Sequence, residues 1–240
     1  MEKHYDENLR KFIPNCNSKK GFMLNDKFIS WKKNISPESM SKSQYIPPKE
    51  IIISCNNHAK ENAKPINANN ILILTHPFYI NLANMHKLKT ELMKKEVEDY
   101  SKKLINFLKS NPDRSKLGIV MLEHFYHYAS TTSLLLENNF VDEVIFTYPH
   151  SGHLYNPDEL NKFREKNICF TGGYEGGCLN TAISQMRKKT NEKNIWAIYD
   201  LVLKHPNDSW GSIKPQSIDT IPPSRTIPLE NLIRVLKLKK

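Results

Sequence analysis

The sequence predicts an α/β protein, a Rossmann-like three-layer sandwich around a mostly parallel sheet, and three observations predict it. Short apolar runs of buried-strand type recur at 71–74, 117–122, 141–146, 167–171 and 195–199. Segments with apolar residues at helical spacing alternate with them. Most of these runs end in polar, glycine or proline clusters that punctuate strand-to-helix turns. Strands that do not alternate with polar residues bury both faces, so helices must cover both sides of the sheet.

Along the chain, residues 1–68 are rich in Lys, Asn, Ser and Pro, with few periodic apolar positions, and are expected to form a partly irregular arm. Within them, Ile51, Ile52 and Ile53 after Pro47-Pro48 predict a short strand. The α/β core domain is expected over 69–205. Leu88, Leu92, Met93, Val97, Tyr100, Leu104, Phe107 and Leu108 predict its first helix. Asn111-Pro112 ends that helix, because proline cannot continue it. Ser130 or Thr131 is expected to cap the next, which holds Leu134, Leu135 and Leu136. Asn156 caps a third, with Pro157 at its favoured first position. A fourth covers 179–186. A Pro/Ser-rich loop over 206–227 then leads to a last helix from Leu229 to about Leu238 that packs on the core.

The chain has 240 residues, 39% of them hydrophobic, and a net charge of +10. Such charge favours nucleic acid, phosphorylated ligands or anionic membrane. Its lysines are dispersed rather than gathered with aromatics, so nucleic acid is an open partner and not the favoured one. No run of 18 apolar residues and no apolar leader appear, which predicts a cytoplasmic protein outside the membrane. Cys16, Cys55, Cys169 and Cys178 form no CxxC pair, as expected of a reduced intracellular chain. A homo-oligomer is left open.

Parallel sheets bind ligands where the strands' carboxyl ends meet the following loops. His76, Glu123, His124, His127, His150, His153, Cys178 and Asp200 all follow predicted strand ends, and their five histidines are a majority of the chain's nine. The window Gly172-Gly173-Tyr174-Glu175-Gly176-Gly177 precedes Cys178 at the start of a helix. Glycines admit close approach of a ligand to the backbone, and a helix start offers N–H groups that stabilise anions and thiolates. Cys178 therefore reads either as a nucleophile, with Gly177 and Cys178 amides as oxyanion donors, or as a small packing residue. A phosphate cradle in the window is opposed by Glu175 and by spacing that is not GxGxxG. His150 or His153 is a candidate base for Cys178, or a plain turn residue. Asp200 reads as a turn or helix cap.

Glu123-His124-x-x-His127 has the composition of a zinc or iron site, but its ligands converge only if the chain turns at Phe125. The competing reading, rim histidines bonded to neighbouring loops, is preferred because HExxH spacing is lacking. No cofactor is assigned firmly.

The stretch Thr171-Gly172-Gly173-Tyr174-Glu175-Gly176-Gly177-Cys178-Leu179-Asn180-Thr181-Ala182 resembles the nucleophile motif of the isochorismatase-like cysteine hydrolases, which include nicotinamidases. The six-residue step from Gly172 to Cys178 matches that family, and Thr181-Ala182 falls one residue early. The resemblance implies a parallel α/β fold and hydrolysis of a small-molecule amide, imide or ester by Cys178. The family's catalytic Asp and Lys positions hold Thr75-His76 and Thr147-Tyr148-Pro149 here, so only Cys178 carries over, with His76 or His150 as its base. The alternatives are an inactive module that binds a small anionic ligand or nucleotide at the glycine window, and a basic protein that binds nucleic acid or a protein partner.

Overall fold

The computed structural model describes residues 47–79, 88–148, 151–204 and 221–236. Most of the N-terminal arm, His150 and residues 206–220 of the Pro/Ser-rich loop lie outside the described residues. Six parallel strands form one sheet in the order β3-β2-β1-β4-β5-β6. They are β1 (Asn70–Thr75), β2 (Leu117–Glu123), β3 (Glu143–Phe146), β4 (Asn167–Gly173), β5 (Ile195–Leu203) and β6 (Thr226–Ile227). The order reverses between β1 and β4, where the crossovers change sides of the sheet; in parallel α/β sheets the carboxyl ends at such a switch point are the usual ligand position.

The strands alternate between two cores. Leu72, Leu74, Ile119 and Met121 face the layer holding α1 (Lys49–Asn62), α2 (Glu91–Lys109) and α6 (Leu229–Leu236). Ile71, Ile73, Val120 and Phe170 face α5 (Cys178–Arg187) and the 3-10 turns of Pro157–Phe163. The three-layer α/β sandwich read from the sequence is the fold. No helix among the described residues is long and apolar enough to cross a membrane.

Three local readings are corrected. Ile51, Ile52 and Ile53 are not a strand but lie in α1, which buries Ile51, Cys55 and Ala59. That i, i+4, i+8 stripe anchors the helix on the core, outweighing the preference of β-branched residues for strands. The helical segment after β2 starts at Phe125, not near Ser130 or Thr131: α3 (Phe125–His127) runs through a π-helical turn (Tyr128–Thr132) into α4 (Ser133–Glu137). Finally, β5 extends to Leu203, so Asp200 sits inside a strand and not at its end.

Candidate active site at the sheet's switch point

β1 and β4 meet with almost no space between their ends. A Cβ on Gly172 would stand 2.0 Å from the Thr75 carbonyl oxygen, and Gly172 has φ +104, so only glycine fits there. Just beyond Thr75, His76 takes φ 41 and donates its backbone N–H to Leu122 at 2.9 Å. Its Nε2 meets the Thr147 hydroxyl at 2.7 Å, and both side chains are buried.

β2 ends on Glu123, and the chain then turns at Phe125, as convergence of a Glu/His/His set requires. His124 caps α3, its ring Nδ1 accepting from the His127 N–H at 3.4 Å. One helical turn brings His127 back beside Glu123. His127 Nδ1 lies 3.8 Å from Glu123 Oε1, and His124 Nε2 lies 3.9 Å from the same oxygen. The two imidazole rings are 4.0 Å apart. One ligand atom from each of the three residues lies within 4.8 Å of the others, and all three side chains are buried. The π-turn begins directly after His127, a backbone irregularity often found at functional sites.

Burial pushes the Glu123 carboxyl up to about 8, against the opposing pull of the His124 N–H and the Thr132 hydroxyl. Glu123 Oε1 accepts that N–H at 2.9 Å, whereas Oε2 makes no hydrogen bond of good geometry.

Tyr79, which the sequence reading missed, closes the cluster. Its ring sits 5.7 Å from His124, 5.2 Å from His127 and 5.8 Å from Tyr174. Its position three residues after His76 was the available signal. Burial raises its phenol, and the charges of Tyr174, Cys178 and Glu123 add to the effect. Cys178, the first residue of α5, is therefore within electrostatic range of Tyr79, and its sulfur also feels Glu123.

The helix start does not deliver a thiolate. Burial pushes Cys178 up to about 11, outweighing the Tyr174 and Cys178 N–H groups that favour the anion. The glycine window is not an open cradle of amides either. Gly172 and Gly173 are ladder residues paired with β5. Glu175 N–H donates to Leu203, Gly176 N–H to the Asn180 side chain and Gly177 N–H to Tyr174. The Gly177 amide is thus spent inside the turn and is not an oxyanion donor.

His153 is exposed, although its loop is close to the sulfur-bearing residue. Gln185 pins that loop to α5, donating to Gly152 O at 2.9 Å and accepting from Leu154 N at 3.1 Å. Asp200 belongs elsewhere: it accepts from Leu229 N at the start of α6 and pairs with Lys103. These two residues, with Glu96, Tyr100 and Tyr199, line a cleft of about 270 Å³ between α2 and β5 that includes no imidazole.

No family model matches the sequence, and no curated protein matches it. Among solved structures, the MAR1 ribonuclease from Caenorhabditis elegans aligns with 59% of this chain and 68% of its own, at 14% identity and a TM-score of 0.31. Likeness at that level assigns no activity.

Proposed function

We propose that this chain hydrolyses an amide, imide or ester bond of a small molecule at the switch point, as a divergent relative of the isochorismatase-like cysteine hydrolases. The observation that carries the reading is the position of Cys178. It opens α5 six residues after Gly172, with its sulfur within electrostatic range of Glu123 and Tyr79. In this reading the sulfur attacks the carbonyl carbon and the carbonyl electron pair moves onto oxygen. The adduct then collapses with loss of the amine or alcohol, which takes up the proton that left the thiol. Water cleaves the resulting thioester and frees the acid.

His76 is the base we assign. The bond between its Nε2 and Thr147 fixes the ring, and with the proton on Nε2 the other nitrogen, Nδ1, carries the lone pair that a base requires. Because burial opposes the thiolate, the site needs an activator beyond the helix start.

The test is mass spectrometry of the full chain after incubation with small activated amides, imides and esters. An acyl adduct on Cys178, absent in Cys178→Ser, is expected. Turnover that persists unchanged in Cys178→Ser, or a panel with neither adduct nor turnover, would overturn the reading.

Two observations weigh against turnover and favour a second reading, a non-catalytic binder of a small anionic ligand or nucleotide at the same rim. The sulfur is buried, and the amides of Glu175, Gly176 and Gly177 are engaged within the protein. That reading predicts that Cys178→Ala keeps its thermal stabilisation by ligand while the wild type shows no turnover.

A further inference from the structure

We infer that Glu123, His124 and His127 bind one divalent transition-metal ion of the zinc class. Two imidazoles and a carboxylate are a donor set that zinc accepts in open, reaction-competent sites with a fourth position left for water or substrate. Hard ions such as magnesium and calcium prefer all-oxygen shells, so the two imidazoles select against them.

The spacing is close to what the ion needs. Tetrahedral zinc with nitrogen and oxygen ligands sets donor atoms about 3.3 Å apart. Here Glu123 Oε1 stands 3.8 Å from His127 Nδ1 and 3.9 Å from His124 Nε2. A contraction of about half an ångström would close these two contacts, and the set as a whole, whose donor atoms lie within 4.8 Å of one another, would draw in around the ion.

The burial supports the same conclusion. A carboxylate sealed from water is costly unless it is paired, hydrogen-bonded or metal-bound. Glu123 is fully buried, and beyond the one backbone N–H that its Oε1 accepts from His124 at 2.9 Å, its contacts to the two imidazoles are longer than hydrogen bonds. Its Oε2 also lacks a hydrogen bond of good geometry. One contact opposes capture: the cap from His127 N to His124 Nδ1 favours the tautomer with a proton on Nε2. At 3.4 Å that bond is at its long limit and is the one that must yield.

The site stands on this geometry and does not depend on thiol chemistry. Loss of the acyl adduct in Cys178→Ser would leave metal binding intact, and metal binding is read by calorimetry and cobalt absorption whether or not an adduct forms. The experiment takes the full chain, stripped with a chelator, and titrates zinc by calorimetry and cobalt by visible absorption. One equivalent per chain is expected, with the strong d–d bands of a four-coordinate cobalt site. His127→Gln and Glu123→Gln should weaken binding by on the order of 100-fold, while the exposed-site variant His153→Ala binds as the wild type does. Where a ligand variant fails to fold by circular dichroism, the wild-type cobalt spectrum decides alone. Failure to bind an equivalent, weak six-coordinate bands, or an equivalent that survives both substitutions in folded protein would overturn the inference.

Discussion

Gly152 lies directly against the backbone of Cys178: a Cβ there would stand 2.3 Å from the Cys178 carbonyl oxygen and 2.8 Å from its Cα. Gly152 also has φ +68, so two independent constraints require glycine. The contact locks the loop after β3 onto the first turn of α5 and so sets where the sulfur sits.

Gly152→Ala is therefore expected to lower stability by about 3 kcal/mol or more, combining left-handed strain with a clash against backbone that cannot move aside. Gly176 supplies the control. It has φ +73, but a Cβ there meets nothing within 4 Å, so Gly176→Ala should cost only about 1–2 kcal/mol. Urea denaturation of the two variants measures the difference. Equal losses would show that the Gly152 contact is slack.

The reactivity of the thiol follows from its burial. In metal-free protein Cys178 is pushed from 9.0 up to about 11, and Cys55 and Cys169 up to about 12. At pH 8, iodoacetamide should label folded Cys178 about a hundredfold more slowly than the same residue in urea. A group raised on folding contributes stability that is complete below its unfolded value and lost as pH rises through its folded value. The stability held by Cys178 is therefore present below about 9 and disappears towards about 11. Rapid labelling of the folded, metal-free chain at neutral pH would contradict this.

Glu123 gives the same sign at lower pH. Its carboxyl is raised from 4.5 to about 8, so the folded state prefers the protonated acid. Its stabilising contribution is complete below about 4.5 and is lost as pH rises through about 8. Metal-free wild type should weaken across that interval by on the order of several kcal/mol, while Glu123→Gln, which cannot ionise, should lose that component. Chemical denaturation at a series of pH values reads the slope, and identical slopes in both proteins would remove Glu123 as its source.

Much of the fold was legible because buried parallel strands leave an unbroken apolar run, as Ile71, Leu72, Ile73 and Leu74 do. α1 was not, because its buried stripe is thin, with Cys55 and Ala59 following Ile51, and three consecutive isoleucines imitate a strand. The two-residue β6 carries too little pattern to read. Strand-end placement predicted that His76, Glu123, His124 and His127 share one rim, and the structure sets these four side chains close to one another. What sequence could not supply was direction: the His76 ring turns to Thr147, and the amides of Glu175, Gly176 and Gly177 turn inward. The capping role of His124 was hidden as well, since histidine is an uncommon helix cap. That cap starts the helix early and folds His127 onto Glu123.

The most direct measurement is the ultraviolet thiolate absorbance of Cys178 against pH, taken as wild type minus Cys178→Ala, with and without one bound equivalent of zinc. A cation held by Glu123 would reverse the charge that the sulfur feels from that residue. The predicted result is a metal-free transition near 11 that moves below the ordinary thiol value of 9.0 when zinc is bound. A transition unmoved by bound zinc would mean that the Glu/His/His cluster and the sulfur are separate features rather than one reaction centre.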